Sequence, residues 1–219
     1  MKTAIISDTH LTHRFEPKKY VFLKKLLESV DEVIINGDFW DSMSTSFDSF
    51  IKSPWQQLFP LLIAKKTVYV YGNHDKKEMM DERVSLFSVL QTDQHTTQTN
   101  PKKLVIYHGH QHTFSLEGYI TNKTARKITN TAHSIVEKLA LKIFGTAFFQ
   151  KTVYKSYSNS ILKHAQANLK DDEVLVCGHS HSVFFMPNKK YINSGFIRHG
   201  LAQYLIIENK KIRAVEEWY

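Results

Sequence analysis

Five times along the chain, a short apolar run leads directly into Asp, Asn or His residues, and this repeated pattern is the strongest constraint on the fold. The runs have the length and apolar character of buried strands. They cover residues 3–7, 32–36, 67–71, 104–107 and 173–177. In open α/β sheets, ligands bind beyond the carboxyl ends of the strands. We therefore expect the five polar clusters to converge on one site.

Helical patterns separate the early strands, which favours an α/β core with parallel or mixed strands. Residues 17–30 form the first predicted helix, in which Pro17 suits the first turn. A second is expected within 48–64, with Pro54 and Pro60 at ends or kinks, and a third at 78–90. Near the C-terminus, 190–193, 202–207 and 211–216 are predicted strands, of which the last two form an antiparallel hairpin. The length suits a single domain spanning residues 1–219.

Residues 113–170 are too long a connection between two strands to lack structure of their own. Apolar residues recur there at helical spacing, namely Ile128, Ile135, Val136, Leu139, Ile143, Phe144, Phe148, Phe149, Val153, Tyr154, Tyr157, Ile161 and Leu162. One interpretation is an insertion of two or three helices that caps the site. The other is a basic, solvated helical face whose apolar residues pack on the body of the protein.

Most of the net charge lies in the same insertion. Nine basic residues there face two acidic ones, Glu117 and Glu137, so that the insertion carries +7 of the total +8. Its partner should therefore be anionic. A phosphorylated substrate meets that requirement, and so does association of the insertion with a membrane surface. Nucleic acid ranks last among the expected partners, because the insertion has no recognisable nucleic-acid-binding motif.

Composition indicates the compartment. The single cysteine, Cys177, excludes an internal disulfide and suits a reducing environment. No apolar run approaches the roughly 20 residues that span a bilayer, and Asp8 comes too early for the apolar region of a signal peptide. We expect a cytoplasmic protein. Peripheral attachment to the inner face of the membrane is a further, narrower expectation.

The polar clusters contain the residue types that bind metals. The members of the pairs Asp8/His10 and His179/His181 are two positions apart, so both face the same way in extended backbone. Oxygen and imidazole ligands without thiolate suit manganese, iron or zinc, and we expect manganese. The candidate ligands are Asp8, His10, Asp38, Asn73, His108, His179 and His181. Because these exceed the four ligands of a lone zinc ion, we expect two divalent ions bridged by Asp38.

The charge of such a site favours phosphate chemistry. Two divalent ions less the carboxylates of Asp8 and Asp38 leave +2, which favours a hydroxide and an anionic phosphate. Two ions ~3.5–4 Å apart can generate a nucleophile and clamp phosphoryl oxygens during in-line displacement. Each cluster alone is ordinary turn chemistry. Together, in this order and each after an apolar strand, they predict a shared metal site.

The motifs Asp-x-His, Gly-Asp-x-x-Asp, Gly-Asn-His-Asp, His-Gly-His and Gly-His-x-His begin at residues 8, 37, 72, 108 and 178. In this order they resemble the calcineurin-like metallophosphoesterase superfamily across residues 3–194, and Tyr-Ile-Asn-Ser-Gly at 191–195 is similar to that family's final core strand. The resemblance implies a metallophosphoesterase-type β-sandwich flanked by helices, with residues 113–170 as a helical cap insertion.

The resemblance also implies individual roles. One ion would be held by Asp8, His10, Asp38 and His181, and the other by Asp38, Asn73, His108 and His179. His74 would contact the phosphate and protonate the leaving oxygen, and Asp75 would orient His74. Asn73, His74 and His110 would contact the substrate. The histidines expected to be structural or background are His13, His95, His112, His133, His164 and His199.

The chain resembles the UDP-2,3-diacylglucosamine hydrolases in three features. These are the long insertion, the sequence Ser-Asp-Thr-His-Leu at 7–11 and the sequence Gly-Asp-Phe-Trp-Asp at 37–41. In that branch the insertion covers the site and holds acyl chains. His110 and His74 depart from its typical His-Gly-Asp and Gly-Asn-Arg-Asp motifs and favour a general phosphodiesterase. Two alternatives stay open, a nucleic-acid-directed phosphodiesterase and a non-catalytic scaffold with this fold, as in the retromer subunit.

Overall fold

The computed structural model describes residues 1–113, 123–151 and 155–219, apart from the side chains at 123, 126, 127 and 147–151. Two sheets form its centre. The first contains the parallel strands β1 (Lys2–Ile6), β2 (Glu32–Asn36), β3 (Val68–Val70) and β4 (Leu90–Thr92). Its antiparallel part contains β10 (Ile197–Arg198), β11 (Leu201–Glu208) and β12 (Lys211–Trp218), with β11 beside β1. The hairpin of β11 and β12 confirms the sequence prediction.

The second sheet has the order β5, β6, β7, β9, β8. Its strands are β5 (His95–Gln98), β6 (Lys103–Ile106), β7 (Glu173–Cys177), β8 (Val183–Met186) and β9 (Tyr191–Ser194). The helices are α1 (Pro17–Glu28), α2 (Phe47–Ile51), α3 (Phe59–Ala64), α4 (Lys123–Lys151) and α5 (Lys155–Asn168). The predicted fold class, a mixed α/β protein with two sheets flanked by helices, is thereby confirmed.

Both faces of the central strands of the first sheet, β1 and β2, are buried. In β1, Ala4 and Ile6 pack in the cluster that contains α1, α2 and α3, whereas Ile5 packs in the cluster shared with the second sheet and α5. Successive side chains of a strand point to opposite faces, so a strand buried on both faces needs apolar residues at every position. This explains why the sequence shows continuous apolar runs instead of an alternating pattern.

The helices expected at 48–64 and 78–90 differ from the prediction. The first is broken into α2, a 3-10 turn at Pro54–Leu58 and α3, because both prolines begin new turns. The second is wrong: the segment forms 3-10 turns at Lys77–Met79 and Glu82–Leu86 before β4. Asp81 has an extended backbone and its side chain accepts a hydrogen bond from the Arg83 N–H, so it ends one turn and caps the next.

The insertion contributes α4 and α5. Ile161 and Ala165 of α5 pack on the second sheet, whereas the apolar residues expected between 128 and 144 on α4 are 53–66% exposed. Among the described side chains of α4, Glu137 and Leu141 are buried. Phe148, Phe149, Val153 and Tyr154 lie outside the described side chains. None of the described helices has the combined length and apolar character needed to cross a bilayer.

Candidate metal centre

The predicted ligands lie together beyond the carboxyl ends of β1, β2, β3, β6 and β7, where strands of both sheets end. Their backbone is unusual, because positive φ angles of 41–65° occur at Asp8, His10, Asp38, His179 and His181. Such angles are disfavoured for residues other than glycine. They persist when the surrounding structure over-determines them, which is most often at functional sites. The turns after the strands are therefore shaped to direct these side chains inward.

Asp8, His10 and His181 form a first group whose potential ligand atoms all lie within 4.8 Å of one another. The Nε2 atom of His181 is 3.3 Å from Asp8 Oδ1 and 3.1 Å from His10 Nε2. All three residues are buried. Two imidazole nitrogens and a carboxylate oxygen facing one point form a donor set that suits a divalent cation.

Asp38, His108 and His179 form a second such group. The Nε2 atom of His108 lies 3.2 Å from Asp38 Oδ2 and 3.1 Å from Asn73 Oδ1. Its Nδ1 lies 2.8 Å from the carbonyl oxygen of Asn36, which can only accept a hydrogen bond. That contact keeps a proton on Nδ1, so Nε2 is the nitrogen that could bind a cation in the second group once its own proton is displaced.

Asp38 lies between the two groups. Its Oδ2 is 3.8 Å from His10 Nε2 as well as near His108, and its Oδ1 accepts a hydrogen bond from the His74 N–H at 2.8 Å. A Cβ atom at Gly72 would collide with the Asp38 carboxylate and stand 2.6 Å from its backbone nitrogen. Glycine is therefore required at position 72 because the two loops touch here.

His74 lines the same cavity, and its imidazole contacts a carboxylate other than the predicted one. Its Nδ1 lies 3.0 Å from Asp41 Oδ1. The carboxylate of Asp75, predicted to orient His74, instead accepts hydrogen bonds from Phe39 N–H, Gly72 N–H and the Tyr69 hydroxyl. Asp75 thus joins the loops after β2 and β3, and the carboxylate that contacts His74 Nδ1 is that of Asp41.

Protonation reflects the crowding of acids and imidazoles. Burial acts against a charged imidazole, but Asp38 and Asp8 raise the pKa of His108 to about 9. Burial is likewise outweighed at His181, where Glu137 and Asp8 raise the pKa to about 9. At His179, burial and the neighbouring His108 lower the pKa to about 3. His108 and His181 therefore carry protons that a bound cation would have to displace.

A buried carboxylate from the insertion contacts the first group. Glu137 of α4 is 2% exposed, and its Oε1 accepts a hydrogen bond from His181 Nδ1 at 2.6 Å. Its Oε2 lies 3.0 Å from Arg198 Nη1 and 2.9 Å from His199 Nε2. Burial alone would raise the pKa of Glu137, but His181 and Arg198 hold it well below its usual range. Glu137 is thus an ionised carboxylate directly behind a candidate ligand.

A cavity of about 70 Å³ opens on both groups. Its lining residues are His10, Asp38, Asn73, His74, Asn130, His133, Tyr157, His179, His181 and Arg198. A second cavity of about 240 Å³ shares His10, Asn130 and Arg198 with it and extends toward Lys19 and His199. A larger cavity of about 600 Å³ lies elsewhere, between α1 and β12, and none of the predicted site residues lines it.

Sequence reasoning placed some site residues among the background. His133 and His199 have no motif around them, yet His133 lines the small cavity and His199 the second one, and no sequence pattern singles out Arg198, which lines both. Asp41 was visible in Gly-Asp-x-x-Asp without a role. His110 is not among the residues that line the cavity, and its ring lies 5.6 Å from that of His108. The signal for Glu137 was slight: an acidic residue in a strongly basic segment.

Comparison with known proteins gives a family. The sequence profile of the calcineurin-like phosphoesterase superfamily domain matches residues 1–145. No curated protein matches the sequence. Among solved structures, the phosphoesterase Yfce from E. coli is 16% identical, with 98% of each chain covered and a TM-score of 0.49. Vps29 from Entamoeba histolytica complexed with zinc is 15% identical, with 100% of this chain and 99% of that chain covered and a TM-score of 0.46. Similarity this low carries no information about activity.

Proposed function

The chain belongs to the calcineurin-like phosphoesterase superfamily, and from that premise we propose that it is a metal-dependent hydrolase of phosphodiesters. The observation that supports this proposal most directly is the meeting of two ligand groups across Asp38, with His74 at the same cavity. The proposal includes the roles of individual residues and the presence of two ions.

The side chains fit divalent cations. Nε2 atoms of His10 and His181 face each other at 3.1 Å with Asp8 beside them, so a cation that replaced the proton at this contact would have two imidazole nitrogens and a carboxylate oxygen as ligands. The first ion would be held by Asp8, His10, Asp38 and His181, and the second by Asp38, Asn73, His108 and His179. When bound, such ions supply Lewis-acid activation of water and of the phosphoryl oxygens. Manganese is proposed, with iron and zinc as alternatives.

The remaining residues act on the substrate and its protons. Asp41 is hydrogen-bonded to Nδ1 of His74, and Nε2 of His74, which lines the cavity, lies 4.0 Å from Asp38 Oδ2. We assign to Nε2 the contact with the phosphate and the proton given to the leaving oxygen. We assign the orientation of His74 to Asp41 and not, as the resemblance implies, to Asp75. Arg198, which lines the cavity, adds a fixed positive charge for an anionic phosphate.

The substrate is proposed to be anionic and phosphorylated. A nucleotide-linked lipid such as UDP-2,3-diacylglucosamine remains a narrower prediction, and so does contact of His110 with the substrate. The second cavity is lined by Lys19, Asp41, Ser44, Arg198 and His199, among others. Such a lining suits a polar group better than an acyl chain, which favours a general phosphodiesterase over the lipid-specific branch.

The test is Mn²⁺-dependent hydrolysis of bis(p-nitrophenyl) phosphate by protein that has been stripped of metal and reloaded. Asp38→Asn should abolish both activity and normal metal content, because its carboxylate lies between the two groups. Asp31→Asn is the matched control, since Asp31 is exposed and its carboxylate contacts the backbone nitrogens of Met1 and Lys2, away from the ligand groups. Activity that survives metal removal, or an Asp38→Asn protein with unchanged rate and metal content, would contradict the proposal. Bound metal without activity would favour a non-catalytic scaffold.

A further inference from the structure

The inward face of α4 is polar where it meets the site. Asn130 donates to Asp41 Oδ2 at 2.8 Å, and Ser134 Oγ accepts from Arg198 Nη2 at 3.0 Å. One turn further along, Glu137 is hydrogen-bonded to His181, Arg198 and His199. Leu141 completes this face by packing on Phe196 and Leu201. The insertion is therefore held in place by residues of the metal centre itself, and not only by contacts with the sheets.

Glu137 constrains the ring of His181. The carboxylate can only accept, so Nδ1 of the ring donates to it and keeps its proton, and Nε2, which faces Asp8 and His10, is the nitrogen that would bind a cation after losing its own proton. A carboxylate behind a metal-ligating imidazole fixes its tautomer and orientation and raises its basicity. Without Glu137, the ring of His181 would lose the contact that decides which nitrogen faces the site.

From this geometry we infer that Glu137 is a positioning residue for the ion held by Asp8, His10 and His181, and that ion binding and docking of α4 are thermodynamically coupled. The inference rests on the proposed function, because it requires that a divalent ion binds to this group. Coupling is reciprocal: if docked α4 strengthens the binding of the ion, then the ion must stabilise docked α4 by the same factor. Residues behind metal ligands typically change metal affinity by roughly 10–100-fold.

The coupling can be measured on the full chain without any substrate. Mn²⁺ affinity and stoichiometry are determined by competition with a chelator for wild type, Glu137→Gln and Glu137→Asp. Glu28→Gln is the matched control, because it removes the same charge from an exposed position at the end of α1. In parallel, hydrogen exchange of the α4 amides is followed with and without Mn²⁺.

We expect Glu137→Gln to weaken one of the two ions by roughly 10–100-fold, while the other ion and the Glu28→Gln control bind as in wild type. Glu137→Asp keeps the charge and should restore part of the affinity. Mn²⁺ should slow exchange in α4 of the wild type, and this protection should disappear in Glu137→Gln. If Glu137→Gln does not fold, the wild-type exchange and the Glu137→Asp affinity still decide the question.

Three results would overturn the coupling. They are normal binding of both ions by Glu137→Gln, a loss of stability in that variant without a change in affinity, and α4 exchange that is indifferent to Mn²⁺ in the wild type. These outcomes leave the proposed function intact. A wild-type protein that binds no Mn²⁺ would instead contradict the proposed function and the coupling together, so the two failures are distinguishable.

Discussion

Replacing Asp41 by Asn should isolate the contribution of one negative charge to His74. The Asp41 carboxylate is 3% exposed; its Oδ1 lies 3.0 Å from His74 Nδ1 and accepts from Met43 N–H, and its Oδ2 accepts from Ser44 and Asn130. An Asn side chain can keep its carbonyl oxygen in the place of Oδ1. The Ser44 hydroxyl can rotate and the Asn130 amide can flip to meet the new NH₂ group, so the hydrogen bonds survive and the charge is lost.

The size of the effect follows from that difference. A hydrogen bond to a charged group contributes about 1.5–3 kcal/mol and a neutral one about 0.5–1.5 kcal/mol. The substitution should therefore cost about 1–1.5 kcal/mol in the transition state, or roughly tenfold in kcat. Because His74 is assigned to the leaving oxygen, the loss should be larger for an alkyl leaving group than for p-nitrophenolate, which needs little protonation. Metal content should not change.

The assay is a double-mutant cycle of kcat with Asp41→Asn and His74→Ala. If Asp41 acts through His74, then Asp41→Asn should have almost no effect in the His74→Ala background. Asp75→Asn is the contrasting variant, because Asp75 is bound to Phe39 and Gly72; its effect should add to that of His74→Ala. The same tenfold loss from Asp41→Asn in both backgrounds, or loss of metal from this variant, would refute the reasoning.

Two further predictions concern protons and lipids. Asp8 helps to hold the pKa of both His108 and His181 at about 9 in the metal-free protein, so a metal ion that binds below that pH must displace protons. Mn²⁺ affinity measured by calorimetry should therefore rise from pH 7 to pH 9, by up to about tenfold per pH unit for each proton displaced. An affinity that does not change with pH would contradict this prediction. We also propose that the exposed side chains of Ile135 and Leu139 on the basic insertion bind an anionic lipid surface. The full chain should sediment with phosphatidylserine vesicles, and the double variant Ile135→Glu/Leu139→Glu should not. Equal sedimentation of the two proteins would exclude this surface.

Much of the fold could be predicted because its signals are local. A strand buried on both faces must be apolar throughout, so β1, β2, β3, β6 and β7 could be identified from short windows of sequence. The failed helix at 78–90 shows the limit of such windows. There the side chain of Asp81 caps a new turn, and Arg83 reaches back to Asp48, which lies 35 residues earlier. Helical periodicity in the sequence contains no information about such contacts.

The sequence by itself determined which residues could serve as ligands, because each cluster follows its strand directly and the carboxyl ends of strands converge in such sheets. Only the tertiary structure decided how they are supported. Asp41 and Asp75 are both close to His74 in sequence or in predicted loops. In the folded chain the Asp41 carboxylate contacts the His74 imidazole, whereas the Asp75 carboxylate accepts hydrogen bonds from the backbone of Phe39 and Gly72. Glu137 reaches His181 across 44 residues of sequence. Hydrogen-bond partners such as Asp41 for His74 and Glu137 for His181 depend on how elements distant in sequence pack together. Such packing is a property of the whole chain and not of any local sequence pattern.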